Sequence, residues 1–138
     1  INLSSAIDPI CEVSFDAEPV AANLDLTTSQ TNLLVGRFAN PNNTFNSSLY
    51  QTDVQLDFVD HLTHSANPSY VFSFSNLKII NDTNDVFDPV PFGIVDSENV
   101  GSSWQDVYLS YTGIPILNLV QGTYSATWYV SCSIEPRT

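Results

Sequence analysis

The chain has 138 residues, 3 Lys+Arg against 15 Asp+Glu, a formal net charge of −12, 43% hydrophobic and 12% aromatic residues, and only 13% charged residues. A chain of this length buries roughly two thirds of its unfolded surface around one core, so a single domain is expected, and the low-hydrophobicity, high-charge balance of disordered chains is excluded. Arg37, Lys78 and Arg137 are the only cations, which leaves no basic footprint for nucleic acid or for an anionic membrane surface.

The chain contains no Met, which predicts that Ile1 is a mature terminus left after removal of a leader, and hence an exported protein. No run of about 18 apolar residues offers a membrane-spanning helix. Ile1, Leu3, Ser5 and Ile7 alternate with Asn2, Ser4 and Ala6 until Pro9 breaks the run. Ile10 to Phe15 is the next candidate strand. Leu33–Phe38, Tyr50–Val59, Tyr70–Ile80, Val90–Val95, Trp104–Tyr111 and Thr123–Ile134 follow, each with period-2 alternation or β-branched and aromatic enrichment. Asn40-Pro41-Asn42-Asn43, Asn67-Pro68-Ser69 and Asn81-Asp82-Thr83-Asn84-Asp85 separate them with turn-forming residues.

About eight strands with no helical stripe between them predict an all-β sandwich, since a parallel βαβ arrangement needs crossover helices. In Tyr50–Phe58 the alternation is clean, with one face toward a core and one toward water. Tyr70, Phe72, Phe74 and Asn76 share a face of the next long segment.

Cys11 and Cys132 lie near opposite ends of the chain, away from metal-ligand spacing and from any C-x-x-C motif. In an exported chain they read as one structural disulfide; the alternative is two buried thiols. No G-x-S-x-G, P-loop, H-E-x-x-H or G-x-G-x-x-G string occurs, so no enzymatic activity and no cofactor are expected. His61 and His64 read as a solvated loop rather than a metal site, because residues three apart on a strand face opposite ways. Asp82, Asp85 and Asp88 form a loose acidic set that lacks the Gly and closing Glu of an EF-hand loop, and so read as a polar turn or a weak cation site. N-x-S/T acceptors stand at Asn2, Asn42, Asn46 and Asn81. The excess acid reads as a surface that keeps copies soluble and apart.

The string Asn23-Leu24-Asp25-Leu26-Thr27-Thr28-Ser29-Gln30-Thr31-Asn32-Leu33-Leu34-Val35-Gly36 resembles an early-strand signature of bacterial chaperone-usher fimbrial major subunits. Val107–Tyr111, Asn118-Leu119 and Gly122-Thr123-Tyr124-Ser125-Ala126-Thr127-Trp128 resemble the closing strands of such pilins. The resemblance implies an incomplete immunoglobulin-like β-sandwich over residues 9–138, with residues 1–8 as a donor strand that completes a neighbouring subunit. It implies a surface filament serving adhesion or biofilm formation, with identical subunits as partners in the polymer and a periplasmic chaperone and outer-membrane usher as partners during assembly. Ile1, Leu3, Ser5 and Ile7 are the donor residues on this reading, and small Ser5 marks a shallow point in the groove. Residues 1–8 as an edge strand of their own domain is the alternative. A Cys11–Cys132 bridge would join the first body strand to the last, at one end of the vacant groove. The reading from another class is a carbohydrate-binding sandwich or adhesin domain with Trp104, Tyr108, Tyr111 or Trp128 as an exposed platform.

Overall fold

The computed structural model describes residues 1–16, 24–39, 41, 43, 47–81, 85–87, 92–98 and 104–137. Among these the chain is all-β. Its strands are β1 (Ser14–Asp16), β2 (Gln30–Ala39), β3 (Tyr50–Phe58), β4 (His61–His64), β5 (Val71–Ser73), β6 (Asn76–Asn81), β7 (Asp85–Phe87), β8 (Gly93–Glu98), β9 (Gln105–Tyr111), β10 (Tyr124–Ser125) and β11 (Tyr129–Pro136). A single 3₁₀ turn, Ile116–Asn118, is the one helical element described.

The strands form three antiparallel sheets, ordered β1-β2-β9-β6-β7, β11-β3-β8 and β10-β4-β5. Alternation explains the two central strands. In β9, Gln105, Val107, Leu109 and Tyr111 are buried while Asp106, Tyr108 and Ser110 are half-buried, and in β3 Thr52, Val54, Leu56 and Phe58 point inward. Phe38 of β2, Phe72 of β5 and Leu77 and Ile79 of β6 join these in one hydrophobic core, so all three sheets drain into the same interior. Each fully buried aliphatic or aromatic side chain contributes about 1.5–3 kcal/mol relative to exposure. On the outer face, Arg37 of β2 pairs with Asp106 opposite it in β9, Nε to Oδ1 3.3 Å.

Two long expected strands are in fact broken. The Tyr70–Ile80 segment divides into β5 and β6, which belong to different sheets. Between them the Phe74 N–H donates to the Asp60 carbonyl and the Ser75 N–H to the Ser110 carbonyl, so the chain hands its backbone from one sheet to the other. Tyr70 and Asn76 consequently lie exposed while Phe72 and Phe74 are buried. Likewise Thr123–Ile134 divides into β10 and β11 around Ala126–Trp128. The candidate strand Ile10–Phe15 contracts to β1, with an isolated bridge at Cys11, and residues 1–10 form no strand within this chain. Val90–Val95 is shifted to β8, and β4 and β7 occupy segments whose residues read as turn or loop.

At the start of β2 the Asp25 carboxylate accepts from the Thr27 N–H and from the hydroxyls of Thr27 and Thr28. The Thr27 and Thr28 hydrogen bonds lower its pKa below the ordinary carboxylate value. The Asp25 carbonyl receives the Tyr111 hydroxyl at 2.9 Å, tying this turn to the end of β9, and burial, with the nearby Asp25 charge, raises the Tyr111 pKa. Ile114 N–H donates to the Leu26 carbonyl alongside.

Two substitutions probe this core in opposite directions. Leu109→Ala removes a fully buried side chain and should lower the unfolding free energy by about 2–5 kcal/mol, read as a fall in the denaturant midpoint at constant m. Thr52→Val should raise it by about 1 kcal/mol in the same measurement, because the buried Thr52 hydroxyl has no hydrogen-bond partner among the described residues.

Candidate functional site

The N-terminal segment stands apart from the packed body. Residues 1–8 are exposed, with Leu3 at 92% and Ile7 at 78% of full accessibility, and Ile1 fully so. Burying three such side chains is the ordinary fate of aliphatics in a folded protein, so their alternation on an uncovered segment is an unmet packing demand. The segment leaves the body at a defined point. Asn43 Oδ1 accepts from the Ile10 N–H at 2.8 Å, the Asn43 N–H donates to the Ile10 carbonyl, and Asn43 Nδ2 donates to the Asp8 carbonyl at 2.9 Å. Glu12 N–H donates to the Pro41 carbonyl one step further on. Residues 8–12 therefore run beside the chain that follows β2, in line with the β1–β2 pairing of Ser14 with Ala39 and Asp16 with Arg37.

Cys11 and Cys132 are bonded, with Cα atoms 5.7 Å apart. The bridge joins the segment ahead of β1, at the edge of the five-stranded sheet, to β11, at the edge of the sheet β11-β3-β8. Cys132 is an interior residue of β11 rather than a terminal one, so the tie grips the strand in its middle.

Among the described residues β11 pairs only with β3, in an unbroken register from Tyr129 opposite Asp57 to Pro136 opposite Tyr50. Its other edge carries no described strand. Val130, Cys132 and Ile134 alternate toward the core yet are only half-buried, and Leu33 and Val35 of β2 pack on the core in the same half-covered state. The end of β11 is secured by Arg137, whose Nε donates to the Ser47 carbonyl at 2.7 Å and the Tyr50 carbonyl at 3.1 Å.

The aromatic side chains of the carbohydrate-platform reading are dispersed. Tyr111 is in the core, Trp128 packs against Phe58 in a tilted arrangement with centroids 5.0 Å apart and donates its indole N–H to the Val59 carbonyl, and Tyr108 is half-buried on β9. Trp104, at 40% exposure, is the most open of the four.

His61 and His64 lie on β4 and not in a solvated loop. His61 is partly exposed and its Nδ1 meets Asp60 Oδ1 at 2.6 Å. His64 is buried: its Nδ1 accepts from the N–H groups of Ala66 and Asn67, so Nε2 carries the proton and donates to the Gln121 carbonyl at 2.7 Å. Tyr70 and Tyr124 meet the imidazole edge-on. The signal for this role in sequence was the Gly122-Thr123-Tyr124 step beyond it. Gly122 adopts φ +145°, and a Cβ at that position would run into the imidazole. Among the described residues no three His, Cys, Asp or Glu side chains are grouped to hold a metal ion.

Asp82, Asp88, Asn42 and Asn46 lie outside the described residues. Asp85 lies in β7 and Asn81 ends β6, rather than both standing in a turn. Asn2 is in the exposed segment. Comparison of the chain with protein-family models finds no match, and comparison with curated proteins finds none either.

Gly122→Ala should destabilise the domain by about 1–3 kcal/mol, through the strained φ and displacement of His64. Chemical unfolding of the variant checks this; an unchanged midpoint would show that the His64 pocket has slack.

Proposed function

We propose that this chain is the structural subunit of an extracellular filament, polymerising by donation of residues 1–8 to the open edge of a neighbouring copy. The observation that carries the reading is the exposed alternating segment Ile1, Leu3, Ser5 and Ile7, set on a body in which one edge of β11 has no partner among the described residues and the inward side chains of that strand are half-covered. Strand addition answers both deficits together: main-chain groups of the edge acquire partners, and alternate aliphatics leave water. Three buried aliphatic side chains at about 1.5–3 kcal/mol each, with a backbone ladder beside them, make a slowly dissociating joint.

On this reading the body is an incomplete immunoglobulin-like sandwich, and the fimbrial resemblance of residues 23–36 and 107–128 supplies its assembly route. A periplasmic chaperone covers the edge before polymerisation, an outer-membrane usher exports the subunit, and the filament serves adhesion or biofilm formation at the cell surface. The protein has a mechanical role and no catalytic one. The net charge of −12 suits this life, since it holds unassembled copies apart while Ile1–Ile7, with no acidic side chain, remains free to approach an acidic body.

Deletion of residues 1–8 should abolish fibres in negative-stain images while leaving a folded monomer with the disulfide intact. Ile7→Asp should weaken the joint in the same assay, because the carboxylate enters an apolar seat without a partner. Fibres of normal length from the deletion variant would overturn the reading.

A further inference from the structure

Which residue of the donor lies against which residue of its acceptor is open on the reading above, and the disulfide constrains it. A strand added to the β11 edge directs alternate side chains inward beside Val130, Cys132 and Ile134, the half-buried positions of that strand. The positions flanking Cys132 on this face are aliphatic. At the middle one the interior is already occupied, because Cys132 is bonded to Cys11 with Cα atoms 5.7 Å apart. Facing sheets otherwise stand about 10 Å apart, so the two edges are pinched together at this level and leave little depth for an incoming side chain. Of the four inward candidates in the donor, Ile1, Leu3 and Ile7 are large and Ser5 alone is small.

We infer, resting on the donor-strand reading, that Ser5 of a second copy seats on the Cys11–Cys132 bridge and that this size match sets the register of the joint. Two orientations satisfy it. With the donor antiparallel to β11, Ser5 opposite Cys132 places Leu3 beside Ile134, Ile7 beside Val130 and Ile1 beside Pro136. Residues 1–8 then cover Tyr129–Pro136 from end to end. Pro136 has no N–H to offer a ladder and falls at its last position, where none is needed. The outward residues also agree: Asn2 meets Glu135, Ser4 meets Ser133, Ala6 meets Ser131 and Asp8 meets Tyr129. With the donor parallel, Ile1 falls off the start of β11 and Asp8 lies against Glu135, a like-charge pair directly opposite, which is destabilising. The antiparallel register is therefore the one selected.

The occupant is a second copy rather than the chain's own N-terminus. Only five residues separate Ser5 from Cys11. Of these, Asp8 and Ile10 are already held by Asn43, leaving no reversal that brings Ser5 back beside its own Cys132.

The test compares full-length chains by pelleted fraction and by fibre counts in negative stain. Ser5→Leu should reduce assembly about tenfold or more, the consequence expected of overpacking a filled site. The swap L3S/S5L, which keeps composition and touches only exposed residues of the monomer, should do the same. Removing the bridge with C11A/C132A should restore assembly to the Ser5→Leu chain, because the obstruction has gone. Wild-type assembly by both Ser5→Leu and L3S/S5L would overturn the register while leaving the filament reading intact. Failure of C11A/C132A to rescue Ser5→Leu, when C11A/C132A alone still forms fibres, would also overturn it. Should C11A/C132A not fold, the swap decides by itself: loss of fibres supports the register and retention overturns it. A wild-type chain that stays monomeric, or that assembles equally without residues 1–8, removes the filament reading and the register with it.

Discussion

Cys11 and Cys132 stand 121 positions apart and are bonded to one another, so nearly the whole domain lies inside one covalent loop. Closing a loop of that length removes on the order of 5 kcal/mol of unfolded-state entropy in the chain-entropy account. For a domain of this size that is comparable with the whole net stability. The location matters as much as the magnitude. The bridge grips the edge of one sheet at the segment preceding β1 and the edge of the other at the middle of β11, where no backbone ladder among the described residues joins the two sheets. The hydrophobic core holds the sheets together from within; the disulfide holds them together at the side.

That side is also where the described core is least covered. Among the described residues β3 and β9 are paired on both edges and bury every second side chain, whereas β11 is paired on one edge and its inward side chains remain half-covered. Residues 1–8 leave from the same covalent tie, through Asn43, carrying aliphatic side chains that the body does not bury. A demand for cover and a supply of it thus sit together in every copy without satisfying one another within it. On the proposed reading, head-to-tail association would resolve this, and because such a contact is heterologous rather than two-fold, it would propagate as a filament.

The His64 site is built differently. Beside the β4–β10 ladder, in which His64 pairs with Tyr124, the His64 imidazole accepts from Ala66 and Asn67 and donates to the Gln121 carbonyl, and so also joins β4 to the residues before β10. Such a satisfied polar node serves structure rather than chemistry. It explains why a histidine with an ordinary-looking surface motif, Asp60-His61-Leu62-Thr63-His64, is found inside.

Period-2 alternation in Tyr50–Phe58 and Trp104–Tyr111 is a property of residue order alone, so the all-β class, the two central strands and most of the core were legible without coordinates. The pairing of Cys11 with Cys132 was legible for a simpler reason, since two cysteines allow one intramolecular bridge. Other features depended on partners distant in sequence. The division of Tyr70–Ile80 between two sheets is imposed by the carbonyls of Asp60 and Ser110, which no local pattern announces. The burial of His64 rests on Gln121, 57 positions away, and on the absence of a side chain at Gly122. Most of all, sequence identified Ile1, Leu3, Ser5 and Ile7 as an alternating set but could not say whether their own domain would bury them. Only the tertiary structure decided that it does not, because β1 pairs with β2 and the bridge turns the preceding residues out along Asn43, beyond reach of their own core.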